Sequence, residues 1–170
     1  MKHIYYQYFK SSFGEIVLGS FDNKLCICDW RFRKMRDRID NRIKNGLKAK
    51  FAKQNSEVLE ETIQQLNEYF NYKRKIFDIP LLMVGTDFQK SVWNGLLKIP
   101  FGKTSSYLEL AENVANSNSV RAVASANGAN AISIIIPCHR IVGSNGKLVG
   151  YAGGLKVKEK LLSIENDLFN

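Results

Sequence analysis

The hydrophobic residues near the start of the chain follow a pattern that is typical of β-strands. Residues 4–9 and 13–21 are rich in Tyr, Ile, Val and Phe, which are side chains that strands favour. Asp22 and Asn23 have the character of a turn and lead into a third apolar segment, residues 25–30. The pattern predicts a hairpin or a three-stranded antiparallel unit.

Apolar residues at helical spacing come next, in residues 56–72. They recur with a period of about 3.6 residues, with Glu and Gln between them, and this predicts an amphipathic helix. Residues 73–84 are interpreted as a strand that leads into the second half. We therefore expect an N-terminal domain, residues 1–84, made of a small antiparallel sheet and a helix.

The second half of the chain is predicted to be mainly helical. Residues 86–89 have the spacing of a capping box, which begins a helix that ends before Pro100. Further helices are predicted over residues 104–114, 119–127 and 155–167. The first two of these are separated by a polar turn, which is the pattern of a helix-turn-helix. An apolar run at residues 132–136 is interpreted as a buried strand. The N-terminal sheet and this mainly helical C-terminal domain, residues 85–170, together predict an α/β protein of two domains.

The net charge of the chain indicates which class of molecule it binds. Its 170 residues carry 25 Lys and Arg against 16 Asp and Glu, a formal net charge of +9. Such an excess favours a polyanion, because Lys and Arg gain affinity by releasing counterions from phosphates. Many of the basic residues lie in residues 31–53, which we interpret as a solvated loop or helix face rather than a dedicated DNA contact.

The number and spacing of the three cysteines bear on whether the protein works in an oxidising or a reducing compartment. Their number is odd, and Cys26 and Cys28 are separated by a single residue, so they do not form a disulfide framework. Residues 1–10 do not have the pattern of a secretory signal, and no segment has the length of a membrane span. We therefore expect a reducing cytosol, in which a cysteine can act as a working thiol.

Cys138 is the cysteine whose neighbours point to chemistry. It follows an apolar segment and Pro137, and it precedes His139 and Arg140. The thiolate is the reactive form of cysteine, and a neighbouring histidine favours it. Cys26 and Cys28, by contrast, fit small buried hydrophobes in a strand.

The segment 136–140 resembles the active-site signature of the O6-alkylguanine-DNA alkyltransferases, in which Pro-Cys-His-Arg is flanked by aliphatic residues. Further matches stand at the family's spacings: Ser106-Tyr107, Arg121-Ala122-Val123, Asn130, Tyr151-Ala152-Gly153-Gly154 and Glu165. The resemblance is close over residues 85–165 and covers the N-terminal half in general pattern only. It implies a ribonuclease-H-like N-terminal domain and a C-terminal domain with a helix-turn-helix.

The activity implied by the resemblance is irreversible, single-turnover transfer of an alkyl group to Cys138. The donor would be O6-alkylguanine in DNA, with O4-alkylthymine as a second candidate, and no cofactor would be needed. Cys138 would be activated through His139, a bridging water and Glu165, which is the logic of a catalytic triad with water as a spacer. The Tyr107 hydroxyl would neutralise the leaving guanine near its N3 atom. Asn130 would tie the turn after the second helix of the helix-turn-helix, residues 119–127, which is the recognition helix, to the active-site strand.

The implied partner is double-stranded DNA, bound through the minor groove with the damaged nucleotide flipped out of the stack. Arg121 would fill the vacated space. The helix that carries Arg121 would approach the groove closely through its small residues: Ala122, Ser125, Ala126 and Gly128. The pocket for the flipped base would be formed by Tyr107, Cys138, Ile141, Tyr151 and Ala152. We expect a monomer, and no zinc set, because the chain has only two histidines.

Three other classes are possible from the sequence. A sensor that binds alkylated DNA without repairing it is disfavoured, because the family's non-enzymatic relatives lack the cysteine. An ordinary helix-turn-helix regulator would make Cys138 and Glu165 incidental. A Cys-His hydrolase is disfavoured because consecutive residues such as Cys138 and His139 are poorly placed for direct proton transfer.

Overall fold

The computed structural model of this protein describes residues 2–166. The chain divides into two units, Met1–Gly85 and Thr86–Asn170. None of the helices in the described part of the chain has the length and apolar content of a membrane span.

The first unit is a four-stranded sheet with two helices. Its elements are β1 (His3–Ser11), β2 (Gly14–Phe21), β3 (Lys24–Trp30), α1 (Arg36–Leu47), β4 (Lys50–Lys53) and α2 (Glu57–Phe70). The strand order is β3-β2-β1-β4. The first three strands are antiparallel neighbours, as the sequence predicts, whereas β4 pairs with β1 in parallel. The sheet is therefore mixed rather than purely antiparallel.

The parallel strand is a consequence of the connection through α1. Parallel neighbours need a crossover, which a helix usually supplies, and α1 carries the chain from β3 to the opposite edge of the sheet. The sequence gives little sign of β4, because this strand has only four residues and begins and ends with lysine.

The basic segment 31–53 contains α1 and β4, and part of its charge is used inside the unit. The buried Asp29 carboxylate of β3 accepts a hydrogen bond from Arg33 Nη1 at 3.0 Å and from Arg36 Nη1 at 2.8 Å. Buried charges need such partners because an unpaired charge away from water is strongly destabilising. The segment thus combines a helix face, as interpreted from the sequence, with an internal ion-pair cluster.

Residues 73–84 do not form the predicted strand. Leu81 makes an isolated bridge to Leu25, supported by hydrogen bonds from Leu25 N to Pro80 O and from Leu82 N to Leu25 O, both 2.8 Å long. Pro80 has no N–H to donate to a ladder, which limits pairing at this point. The segment is an extended connection with one point of contact to the sheet.

The second unit is mainly helical. Its elements are α3 (Asp87–Leu97), β5 (Ser105–Ser106), α4 (Tyr107–Val114), a 3₁₀ turn (Ser117–Ser119), α5 (Val120–Gly128), a second 3₁₀ turn (Cys138–Arg140), β6 (Ile141–Val142) and α6 (Leu155–Asn166). Capping boxes begin α3 at Thr86 and α4 at Ser106, so the predicted start of α3 is confirmed. Helix α4, the 3₁₀ turn and α5 follow one another in the order expected from the sequence.

The apolar run 132–136 is buried but is not a strand. Its backbone turns on itself, with hydrogen bonds from Ile135 N to Ser133 O at 2.8 Å and from Ile136 N to Ile132 O at 3.0 Å. Ile134 has a φ of 72°, a left-handed conformation that is strained for a β-branched residue. The prediction of a strand before Cys138 is therefore wrong, because short apolar runs fit buried strands and buried turns equally well.

Candidate active site

Cys138 begins the second 3₁₀ turn and its side chain is buried. Asn130 fixes the backbone that precedes this turn. Its Nδ2 donates to Ile136 O at 2.9 Å, and its Oδ1 accepts from Ile132 N at 3.0 Å. Such side-chain bonds to nearby backbone compete with strand pairing and stabilise a turn. Asn130 therefore connects the end of α5 to the segment that presents Cys138, although that segment is a turn rather than the expected strand.

His139, Arg140 and Glu165 form one buried cluster. Glu165 Oε2 lies 2.6 Å from His139 Nε2, and Glu165 Oε1 accepts from Arg140 Nε at 2.7 Å. Arg140 Nη2 also donates to Oε2 at 3.2 Å, and its Nη1 donates to Ile99 O at 2.7 Å. The structure thus brings together His139 and Glu165, which the resemblance paired, and adds Arg140 to them.

The charges of this cluster fix the roles of the two imidazole nitrogens. Burial by itself would raise the pKa of Glu165, but the hydrogen bonds and charges of His139 and Arg140 outweigh it and lower that pKa to about 2. Burial lowers the pKa of His139. At neutral pH an ionised carboxylate therefore accepts the proton of His139 Nε2, and Nδ1 carries the lone pair.

His139 Nδ1 is buried and has no hydrogen-bond partner among residues 2–166. It is an acceptor next to Cys138 in the chain, held in the tautomer that can take a proton. A nucleophile, a base and a carboxylate that orients the base make up the arrangement that activates a cysteine or serine.

Tyr107 is the first residue of α4 and is half-buried. Burial raises the pKa of its phenol, and the negative charge of Cys138 raises it further, while a hydrogen bond from Asn127 lowers it. The net upward shift keeps Tyr107 protonated at neutral pH. The phenol is therefore a proton donor within electrostatic reach of Cys138.

Lys158 of α6 is fully buried, which its sequence context alone does not predict. Its Nζ donates to Val149 O at 2.7 Å and to Ile141 O. Burial lowers its pKa to about 8, and the negative charge of Cys138 opposes that shift. A signal existed, because Lys158 shares the helix face of Leu161 and Glu165 that points inward.

The sequence identifies Arg140 only as part of the motif, whereas in the structure Arg140 orients Glu165. A buried arginine needs an acidic partner, so its position beside His139 and Cys138 could have prompted a search for one. The acid, Glu165, is 25 residues away in the chain, and only the fold shows that they meet.

The other predicted pocket residues lie close by in the chain and vary in burial. Ile141 is buried and its carbonyl accepts from Lys158, while Tyr151 and Ala152 are half-buried. The rings of Tyr151 and His139 are 6.4 Å apart and nearly perpendicular. Tyr151 therefore lies beside the histidine of the cluster.

The predicted DNA-contact residues of α5 divide into two groups. Four of them are exposed: Arg121, Ala122, Ser125 and Gly128. Ala126 is buried, and its carbonyl accepts from Trp93 Nε1 at 2.9 Å. Ala126 therefore packs α5 against α3, and the exposed face of α5 consists of the other four residues.

Two family models match the chain. The DNA binding domain of 6-O-methylguanine DNA methyltransferase matches residues 87–167, and the ribonuclease-like domain of the same family matches residues 4–83. The chain belongs to the 6-O-methylguanine DNA methyltransferase family. A member of this family from Methanosarcina acetivorans, a methylated-DNA–protein-cysteine methyltransferase, is 42% identical over 163 residues, which are 95% of this chain and 98% of that protein. The family resemblance in the sequence is thereby confirmed.

Solved structures of family members have the same fold. The O6-methylguanine methyltransferase of Mycobacterium tuberculosis is 34% identical with a TM-score of 0.80, covering 96% of this chain and 93% of that one. The Mycobacterium tuberculosis OGT in complex with DNA is 35% identical with a TM-score of 0.81, covering 95% and 92%. These structures confirm the predicted fold class, α/β with a helical C-terminal part.

Proposed function

We propose that this protein repairs DNA by direct reversal, moving an alkyl group from O6-alkylguanine to its own Cys138. Relatives named methylated-DNA–protein-cysteine methyltransferase and a relative solved with DNA support this activity and this partner. The observation that carries the proposal is the buried His139, whose Nε2 is held by the Glu165 carboxylate so that Nδ1 remains an acceptor next to Cys138.

In the proposed reaction, the Cys138 proton passes through a bridging water to His139 Nδ1. The thiolate then attacks the alkyl carbon, the S–C bond forms and the C–O6 bond breaks. Guanine leaves as an anion and takes a proton near N3 from the Tyr107 hydroxyl. The product thioether has no good leaving group, so each molecule reacts once, and O4-alkylthymine is a second candidate substrate.

We also propose that α5 lies in the minor groove of duplex DNA and that the damaged nucleotide is flipped out. The exposed Arg121 would fill the space that the nucleotide leaves. The Ala152 amide and the carbonyls of Cys138 and Ile141 would face the flipped base, and the Tyr151 ring would form a wall. On this proposal the DNA-binding and alkyl-acceptor domain is residues 85–170, and the protein acts as a monomer in a reducing cytosol.

Mass spectrometry after mixing with O6-methylguanine DNA tests the transfer. The wild-type protein should gain one methyl group, located on Cys138 by peptide mapping. Cys138→Ala should gain none while still binding methylated DNA, and the matched variant Cys26→Ala should gain it as the wild type does. Binding without any mass change in the wild type would identify a damage sensor or a regulator instead.

A further inference from the structure

Asn127 of α5 is buried, with 7% of its surface exposed, and it contacts the tyrosine of the proposed reaction. Its Nδ2 donates to the Tyr107 hydroxyl oxygen at 3.4 Å. Its Oδ1 is buried and has no hydrogen-bond partner among the residues that the structure describes. Asn127 also lies on the same helix as the exposed Arg121.

The direction of this hydrogen bond determines where the phenol proton goes. A tyrosine hydroxyl has one proton and accepts through its lone pairs. When the oxygen accepts from Asn127, the proton points elsewhere and remains available to a substrate. If the amide were reversed, Oδ1 would accept the phenol proton and withhold it from the leaving guanine.

The unpaired Oδ1 argues against a purely structural role. Buried polar atoms without partners are rare in native proteins because they reduce stability, and they call for an explanation. An apolar side chain would fill this site without that cost. The amide is therefore better explained by what its Nδ2 group does for Tyr107.

We propose that Asn127 is a positioning residue for Tyr107, which holds the phenol oxygen as an acceptor so that its proton is directed to the leaving guanine. This inference rests on the proposed function. The same hydrogen bond stabilises the phenolate that forms when Tyr107 gives up its proton, and it accordingly lowers the pKa of the phenol. Because Asn127 and Arg121 share α5, one helix both contacts DNA and orients the proton donor.

A double-mutant cycle tests this role. Single-turnover methyl transfer from O6-methylguanine duplex would be measured for wild type, Asn127→Ala, Tyr107→Phe and the double variant. Asn127→Ala should slow transfer about 3- to 10-fold, the effect of one net hydrogen bond. Tyr107→Phe has no phenol proton to direct, so adding Asn127→Ala to it should cost less than about twofold. Equal losses in both backgrounds would overturn the proposal.

Asn127→Asp separates positioning from packing. It keeps the shape of the side chain but replaces the donor by an acceptor that competes for the phenol proton, so it should be slower than Asn127→Ala. If shape alone mattered, the Asp variant would be the milder one. Thermal unfolding and duplex affinity would be measured for each variant, with Asn127→Ser replacing any variant that is unfolded at the assay temperature.

Asn67→Ala, an exposed asparagine on α2, is the control and should leave the rate unchanged. A wild type that transfers no methyl group to Cys138 would overturn the proposed function as well. A wild type that transfers normally, with an additive cycle, would overturn only the role of Asn127.

Discussion

Replacing Lys158 by methionine removes a buried ammonium group and keeps a side chain of similar length. Lys158 is fully buried, and burial lowers its pKa from the ordinary value of 10.5 to about 8. One pKa unit corresponds to about 1.4 kcal/mol, so this shift is worth about 3 kcal/mol of folding free energy. The shift predicts how the stability difference between the two proteins changes with pH.

Between pH 8 and pH 10.5 the folded protein has lost the Lys158 proton while the unfolded chain keeps it. Stability rises with pH wherever the unfolded state binds more protons. The wild type should therefore gain up to about 3 kcal/mol relative to Lys158→Met from pH 7 to pH 10.5. Below pH 7 the difference should be constant, because the residue is protonated in both states.

The assay is urea denaturation of both proteins under reducing conditions at several pH values from 7 to 10.5. Burial raises the pKa of Cys26 and of Cys28, which lowers stability at high pH, but equally in both proteins. A stability difference that does not change with pH would refute the depressed pKa.

Three further predictions concern repair and binding. The transfer rate should fall at acidic pH as His139 becomes protonated. Because burial lowers the pKa of His139, the midpoint of a pH–rate profile should lie below the ordinary value of 6.5. A midpoint above 6.5 would contradict the role of His139 as the base. Arg121→Ala should slow repair strongly in duplex and far less on single strands or free O6-alkylguanine, since only a stacked base must be flipped; equal single-turnover losses on all three would exclude the flipping role. The logarithm of the affinity for undamaged duplex should fall linearly with the logarithm of salt concentration, with a slope near −0.9 per phosphate neutralised, whereas a flat response would argue against DNA binding.

The sequence predicted elements whose signals are local. The periodicity of residues 56–72 and the capping box at Thr86 are properties of short segments, and α2 and α3 form where they indicate. The four-residue β4 and the turn at residues 132–136 depend on packing that a short segment does not encode. At both of these places, and at residues 73–84, the predicted and observed elements differ.

At the candidate site, the resemblance supplied Cys138, His139 and Glu165, because a motif can be recognised without knowing the contacts. Arg140 and Lys158 were missed since their importance comes from burial and from partners distant in the chain. A lysine or arginine in a sequence is most often exposed. Its burial beside a thiol can be seen only when the helices are packed.

The left-handed Ile134 restricts which mutations the turn before Cys138 can accept. Glycine there would relieve about 1–2 kcal/mol of backbone strain, but Ile134 is 1% exposed, and truncating a buried isoleucine costs about 2–5 kcal/mol. Asparagine suits the backbone but would bring an amide into an apolar site. Glycine and asparagine, the two residues that suit this backbone best, are therefore both expected to be worse than isoleucine, so the strained conformation is kept because the buried side chain contributes more to stability than the strain removes.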